Sequence, residues 1–323
     1  MKCTSANANE SPVFCYETQH YDRRYLDCWR RQAVVLLQKL GAPVDYLFYS
    51  AFSSTEDIFE QHILMQKPKY AFSTLILNQE GLELIGWRQR LQHYEALSDA
   101  EEDIKLHLKT VPFVILMGSV FYFPHCPEYR QEHLNHSVGV LQIGHDGNWA
   151  IVDDDPASVL ECYSYSKSYI ENFFDNNGTR IVRYFDKINS PAQNQIADAA
   201  IAKCRAHFSS YHDSYRLLKE IEDVSTNAHE SVSVRAKKIH ESFSLYSGSR
   251  SLFARFSERI LGDINSSLIL REISEQSLLI KNAMTKAAVS GKLNVTSLTL
   301  RCDRLLSLET QVLSSLNKRL GIL

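Results

Sequence analysis

Apolar residues in the second half of the chain recur every three or four positions, which is the period of an amphipathic helix. Stretches with this pattern include RSLFARFSERILGDINSSLILREISEQSLLIKNAMTKAAVSG and VTSLTLRCDRLLSLETQVLSSLNKRLG. All eight prolines lie at or before Pro191, so no proline interrupts these stretches. The pattern predicts an all-α bundle of four or five helices over residues 191–323.

Residues 1–190 combine helical stretches with runs that are typical of strands. The stretch WRRQAVVLLQKLG has apolar residues on one helical face and ends at a glycine, and WRQRLQHYEALSDAEEDIKLHLKT is a polar helical region. The strand-like runs are YAFSTLILN, PFVILMGSVFYF, HSVGVLQIG, NWAIVDDD and TRIVRYF. A helix followed by an antiparallel sheet predicts an α+β domain over residues 1–190, before the helical domain 191–323.

Cys28 is predicted to lie at the beginning of the first helix. Asp27 is a favourable N-cap residue, which makes Cys28 the first helical residue. A thiol at this position lies at the positive end of the helix dipole, which favours the thiolate over the thiol. Cys28 is therefore a candidate nucleophile. The alternative is an ordinary buried cysteine that packs as a small hydrophobic residue.

Residues 136–155 are predicted to form a β-hairpin, because Asp146-Gly147 is a strong signal for a two-residue turn. That turn would pair Val138 with Asp155. His136 would then lie diagonal to Asp155 and on the same face of the sheet, since side chains alternate along a strand.

Two other aspartates are near in this predicted hairpin. Asp153 would share the face of His136 but lie further away, whereas a three-residue loop would reverse the alternation and favour Asp154. A thiolate that attacks a carbonyl, an imidazole that moves the proton and a carboxylate that orients the imidazole form a catalytic triad. Alternatively, His136 is a hydrogen-bonded strand histidine and the aspartates form a solvated turn.

Three blocks of the sequence resemble the N-terminal domain of the butirosin-biosynthesis acyltransferase family, which is similar to papain-like cysteine enzymes. These blocks are DCWRRQAVVLLQKLGAPVDYLFYSAF, VPFVILMGSVFYFPHCPEYRQEHLNHSVGVLQIG and AIVDDDP, and the resemblance covers about residues 14–185. It implies a papain-like fold and transfer of an acyl group from a carrier-protein thioester to an amine. Cys28 would be the nucleophile, His136 the base, and Asp155 or Asp153 the orienting carboxylate.

Other residues have roles under the same resemblance. Papain-like peptidases carry a glutamine about six residues before the cysteine, and its side chain stabilises the oxyanion. That position is Asp22 here. The candidate oxyanion donors are therefore Gln19 and the backbone N–H of Cys28. The cysteine is followed by Trp29 rather than by the glycine of the peptidases. Candidate substrate-binding residues, which are equally compatible with simple packing, are Tyr122, His125, Tyr129, His133, His20 and Tyr21.

The composition is that of a globular protein, with 44% hydrophobic and 23% charged residues. No apolar run is long enough for a membrane span, and the N-terminus has no apolar secretory segment. Seven cysteines without a CxxC pair favour a reducing cytoplasm over disulfides, and neither they nor the dispersed histidines have metal-ligand spacing. The net charge is −8 for residues 1–190 and +5 from Pro191 onward, which favours an acidic protein partner over nucleic acid.

The sequence therefore favours an acyltransferase of specialised metabolism, such as antibiotic or nonribosomal peptide biosynthesis. Its partners would be an acyl or peptidyl carrier protein and a small-molecule amine, and it would need no cofactor, because the phosphopantetheine arm of the carrier is part of the substrate. The unbroken helices also offer an apolar face for a homodimer. Two alternatives remain: a cysteine thioesterase, cyclase or amidohydrolase, and a non-catalytic carrier-binding scaffold.

Overall fold

A computed structural model describes residue 16 and residues 24–155, 157, 159–188 and 192–322. The protein has an α+β architecture with a six-stranded antiparallel sheet and a helical C-terminal region, as predicted. In chain order, the helices are α1 (Cys28–Lys39), α2 (Thr55–Ile58), α3 (Gln79–Leu84), α4 (Leu97–Leu108), α5 (Lys167–Asp175), α6 (Gln193–Ser209), α7 (Arg216–Lys219), α8 (Ile221–Thr226), α9 (Val232–Arg259), α10 (Ile264–Ser290) and α11 (Val295–Leu320). The strands are β1 (Trp87–His93), β2 (Val114–Ser119), β3 (Asn135–Ile143), β4 (Asn148–Asp154), β5 (Leu160–Ser166) and β6 (Ile181–Lys187).

The chain forms two compact units. The first comprises Met1–Val44 and Leu82–Pro191, and the second comprises Asp45–Gly81 and Ala192–Leu323. The sequence prediction divided the chain once, at residue 190, and so assigned residues 45–81 to the first domain. Their apolar side chains explain the difference: the Phe52 ring lies 5.2 Å from the ring of Phe208 and 5.3 Å from that of Phe253.

The sheet of the first unit has the strand order β1-β6-β2-β3-β4-β5. Helices α4 and α5 pack on one face of it and bury apolar residues from both layers: Leu97, Ile104, Leu116, Val138, Val140, Trp149, Ile151 and Phe173. Helix α1 packs against β3 on the opposite side, where Gly139 alternates with the two core valines. A Cβ atom at Gly139 would lie 2.9 Å from Cδ1 of Leu36, so the approach of α1 to the sheet requires glycine.

Two local predictions were wrong, and one strand was not predicted. The YAFSTLILN segment, residues 70–78, is not a strand but contains turns and a short 3₁₀ segment at Lys69–Ala71. The start of the predicted polar helix is the edge strand β1, which pairs with β6, and only its second part is the helix α4. Strand β5, which pairs with β4, was not predicted. Pairing with a neighbouring strand overrides the local pattern in both strands.

The second unit is mostly helical. Its described part from residue 192 onward contains six helices, of which α6, α9, α10 and α11 are long, against the four or five predicted. The Arg250 guanidinium on α9 donates to both carboxylate oxygens of Glu309 on α11, at 2.5 and 3.2 Å, and both side chains are buried. Within the described ranges, no helix has the length and apolar character that a bilayer crossing requires.

Candidate active site

Cys28 begins α1, as predicted. The Asp27 carboxylate caps the helix by accepting a 3.0 Å hydrogen bond from the backbone N–H of Arg30. Cys28 is partly exposed, whereas the other cysteines in the described ranges (Cys126, Cys162, Cys204 and Cys302) are buried. The Arg183 guanidinium on β6 lies 4.1 Å over the ring of Trp29 and interacts electrostatically with Cys28. The start of the helix and this cation are two positively polarised groups near the sulfur.

The pairing of β3 with β4 brings His136 and Asp153 to the same face. The connection has three residues rather than two, because the N–H of Gly144 donates to the carbonyl of Asn148 at 2.7 Å and Ile143 pairs with Trp149. A bulge at Leu141 then shifts the register by one further residue. Val140 consequently pairs with Ile151 and not with Asp153, so the predicted register was wrong.

His136 and Asp153 form a buried pair. The Nε2 atom of His136 lies 2.6 Å from Oδ1 of Asp153. The Cys28 side chain is a second neighbour that interacts electrostatically with the imidazole. Burial disfavours the imidazolium, but the Asp153 carboxylate and the Cys28 sulfur outweigh it and raise the pKa of His136 well above its ordinary value. The arrangement can hold a thiolate–imidazolium pair.

Asp153 is fully buried and remains ionised. Burial alone would raise its pKa, but the charge of His136 and hydrogen bonds from His136 and His125 outweigh it and hold the pKa well below the ordinary range. Its Oδ1 atom also accepts from the backbone N–H of Asp154 at 2.8 Å and from Nε2 of Gln32 at 3.3 Å. Gln32 stands four residues after Cys28, on the same face of α1.

The histidine that contacts the other carboxylate oxygen is His125. Its Nε2 atom lies 2.9 Å from Oδ2 of Asp153, and its Nδ1 atom lies 2.7 Å from the Tyr165 hydroxyl on β5. The His125 ring stacks on Tyr163 with 3.9 Å between ring centroids. Asp153 thus lies between two imidazoles.

One curated protein has a sequence similar to part of this chain. It is the ribostamycin:4-(gamma-L-glutamylamino)-(S)-2-hydroxybutanoyl-[BtrI acyl-carrier protein] 4-(gamma-L-glutamylamino)-(S)-2-hydroxybutanoate transferase of Niallia circulans, with 28% identity over 128 residues. The match covers 39% of this chain and 42% of that protein. The similarity to the butirosin-biosynthesis family is thus partial. No protein-family model matches the chain.

The other predicted aspartate, Asp155, has a different contact. Its Oδ1 atom accepts from the backbone N–H of Val159 at 2.7 Å, and its own N–H donates to the Val159 carbonyl, so Asp155 closes the turn after β4. Asp154, which a three-residue loop alone would have favoured, forms an ion pair with Arg31. The bulge at Leu141 is the reason that Asp153 and not Asp154 shares the face of His136.

The remaining candidates lie in the connection between β2 and β3 or near the N-terminus. His133 stacks on Phe121 at 4.1 Å and forms a 3.2 Å hydrogen bond with the Ser119 hydroxyl. Tyr122 packs edge-on against the same histidine, and the Arg130 guanidinium lies over the Tyr129 ring. Substrate binding by these residues stays a prediction. Three of the predicted site residues, Gln19, His20 and Tyr21, lie outside the described ranges.

Three donor atoms near the site have the chemistry of metal ligands, although the sequence predicted no metal. They belong to His125, Cys126 and Asp153 and lie within 4.8 Å of one another. Imidazole, thiolate and carboxylate together suit zinc. However, Oδ2 of Asp153 is already within hydrogen-bonding distance of His125 Nε2, and a metal would have to replace that bond.

Proposed function

We propose that the chain is a cysteine-dependent acyltransferase that moves an acyl group from a carrier-protein thioester, by way of acyl-Cys28, to an amine. The observation that carries the proposal is the contact of His136 with both the Asp153 carboxylate, at 2.6 Å, and the Cys28 side chain at the start of α1. The order cysteine on a helix, histidine on a strand, aspartate on the next strand supports a papain-like arrangement. The partial similarity to a carrier-dependent transferase supports the donor class.

The first half-reaction loads the enzyme. The Cys28 thiolate attacks the thioester carbonyl, a bond forms between its sulfur and the acyl carbon, and the bond to the phosphopantetheine sulfur breaks. The His136 imidazolium gives its Nδ1 proton to the leaving thiolate. Asp153 keeps the ring orientation and stabilises the cation before that transfer. The backbone N–H of Cys28, at the start of α1, is one of the helix donors without an intrahelical partner and is a candidate to stabilise the oxyanion.

The second half-reaction transfers the acyl group. The amine nitrogen attacks the acyl carbon of acyl-Cys28, neutral His136 takes a proton from that nitrogen, and the bond to the Cys28 sulfur breaks. This restores the thiolate–imidazolium pair. If water replaces the amine, the same steps give a free acid, which is the product of the thioesterase alternative.

The partner proposed here is an acylated carrier protein, and the acceptor is a small-molecule amine. The excess of positive charge from Pro191 onward is complementary to an acidic carrier. A homodimer remains a prediction.

The test uses the full chain with an acylated phosphopantetheinyl carrier. The donor and acceptor named for the relative, with simple acyl N-acetylcysteamine thioesters beside them, are the first probes. Intact-protein mass spectrometry is expected to show one acyl adduct on the wild type and none on Cys28→Ala, with Cys302→Ala as the control for loss of a buried thiol. A Cys28→Ala variant that still loads or transfers acyl groups would refute the mechanism.

Product analysis separates the alternatives. Amide formation that depends on added amine supports transfer, whereas free acid in equal amount with and without amine identifies a hydrolase. If neither product forms and iodoacetamide labels Cys28 no faster than the buried cysteines, the chain is a scaffold and not an enzyme.

A further inference from the structure

The Asp153 carboxylate receives donors on both oxygens, although one histidine would suffice for a triad. His136 contacts Oδ1 and His125 contacts Oδ2, at 2.6 and 2.9 Å. No part of Asp153 is exposed, so water does not compete for either oxygen. The second imidazole is therefore a fixed part of the carboxylate's environment.

Proton positions follow from the chemistry of these groups. An ionised carboxylate only accepts hydrogen bonds, so both histidines donate through Nε2–H. In its neutral form His125 must then accept at Nδ1, and the group at 2.7 Å is the Tyr165 hydroxyl. Burial raises the pKa of Tyr165 and keeps that hydroxyl protonated and able to donate. Tyr165 thus selects the tautomer of His125 that can serve Asp153.

The orientation of the His125 ring is also fixed. It stacks on Tyr163, with an interplanar angle of 18°, and packs against Phe123 with ring centroids 5.4 Å apart. Its side chain is 7% exposed. The N–H that points at Asp153 is consequently held in one direction by aromatic neighbours and not by solvent.

We propose that His125 is a positioning residue that, together with Tyr165, anchors Oδ2 of Asp153 so that Oδ1 stays directed at His136. This inference rests on the proposed function, because it assumes that His136 and Asp153 serve Cys28. It differs from the sequence expectation that His125 contacts the substrate. Without the His125 N–H, Oδ2 of a buried carboxylate loses its imidazole donor, and the orientation of the group depends only on the donors to Oδ1: His136, the Asp154 N–H and Gln32.

Paired variants separate the hydrogen bond from the packing of the ring. His125→Phe keeps an aromatic ring against Tyr163 but removes the N–H, whereas His125→Gln loses the ring but keeps an N–H near the Nε2 position. Tyr165→Phe removes only the hydroxyl that selects the tautomer. Circular dichroism and thermal melting of each variant show whether it is folded.

We expect His125→Phe to lower kcat/KM for acyl transfer by about 10- to 100-fold, the equivalent of one hydrogen bond to a charged group. KM should stay within about threefold, because the residue does not touch the substrate. His125→Gln is expected to regain most of the rate, and Tyr165→Phe to have a smaller effect than His125→Phe. Equal losses in the Phe and Gln variants, or a rise in KM with unchanged kcat, would overturn the proposal.

The rate of Cys28 alkylation by iodoacetamide gives a readout that needs no acyl donor. At neutral pH we expect alkylation to be fastest in the wild type, slower in His125→Gln and slowest in His125→Phe. If this order holds but the wild type transfers no acyl group, the proposed function fails while the coupling of His125 to Cys28 stands. If transfer occurs but His125→Phe leaves both rates unchanged, only the positioning role fails.

A separate measurement tests whether His125, Cys126 and Asp153 bind a metal instead. Metal analysis of the purified protein, with Cys126→Ala as the matched variant, should find no stoichiometric zinc. One zinc per chain that disappears in Cys126→Ala would assign His125 to metal binding and overturn the hydrogen-bond role.

Discussion

Replacement of Asp153 by asparagine tests the central contact of the site. The substitution hardly changes the size of the side chain, but one oxygen becomes an NH₂ group that cannot accept a hydrogen bond. The two Nε2–H donors, from His136 and His125, then face one acceptor, and the negative charge that stabilises the His136 imidazolium is lost. Asp153→Asn therefore perturbs both hydrogen bonds and the charge without opening a cavity.

The expected loss follows from those contacts. Hydrogen bonds to a charged group contribute about 1.5 to 3 kcal/mol each, so weakening both costs about 3 to 6 kcal/mol, or roughly a 10²- to 10⁴-fold lower kcat/KM. Asp155→Asn is the matched control, because an asparagine there can still accept the hydrogen bond from the Val159 N–H. We expect that variant to stay within about threefold of the wild type.

The assay follows acyl transfer by intact-protein mass spectrometry of the carrier, which loses the mass of its acyl group. Alkylation of Cys28 by iodoacetamide is measured beside it on protein that circular dichroism shows to be folded. A folded Asp153→Asn variant within threefold of the wild type would refute the assignment of Asp153. A large loss in Asp155→Asn with little loss in Asp153→Asn would show that the carboxylate on His136 in solution is Asp155.

Two further predictions concern stability. Because the pKa of His136 is raised, the folded state keeps a proton that the unfolded chain releases near pH 6.5. Binding of this proton stabilises the folded state fully below pH 6.5, and the stabilisation is lost as pH rises through the folded pKa. Urea unfolding should show a free energy that falls over that alkaline range, and a flatter curve in His136→Gln would support the assignment while an unchanged one would contradict it. Gly139→Ala should destabilise the protein by about 1 to 3 kcal/mol in thermal melts, because its Cβ would lie 2.9 Å from Leu36. Gly178→Ala, where the Cβ meets open space, is the control, and equal melting of the two variants would refute the close approach.

Local chemistry made the start of α1 predictable from the sequence. Capping depends on residues within one turn, and Asp27 does accept from the backbone of Arg30. The long C-terminal helices were predictable for a similar reason, since one apolar stripe repeats over many turns. Strands β1 and β5 were not, because each lies at an edge of the described sheet and pairs there with one strand. The partner of β1 is β6, which is distant in sequence, and the partner of β5 is β4, from which an irregular turn separates it.

The side chains that contact Asp153 besides His136 could not be predicted from sequence patterns. Gln32 offered one signal, its spacing of four residues from Cys28 on a helix. His125 lies in an irregular connection and Tyr165 on a strand that was not predicted. No periodic pattern of the sequence therefore relates either residue to Asp153. Their convergence on one carboxylate depends on the tertiary fold, and the sequence interpretation placed His125 in a substrate pocket instead.

The choice among three consecutive aspartates shows how two local irregularities decide a site. The three-residue connection alone would direct Asp154 to the face of His136, because a shift of one residue exchanges the faces of a strand. The bulge at Leu141 shifts the pairing by one more residue and exchanges the faces again, so Asp153 and Asp155 return to the face of His136 while Asp154 pairs with Arg31. In a regular ladder without the bulge, Leu141 would pair with Ile151 and Val140 with Val152, and Asp154 rather than Asp153 would share the face of His136. Deletion of Leu141 removes the extra residue but leaves Val140 opposite Ile151, so Asp153 is expected to stay on the face of His136, and the bulge matters for the chemistry because it sets this register.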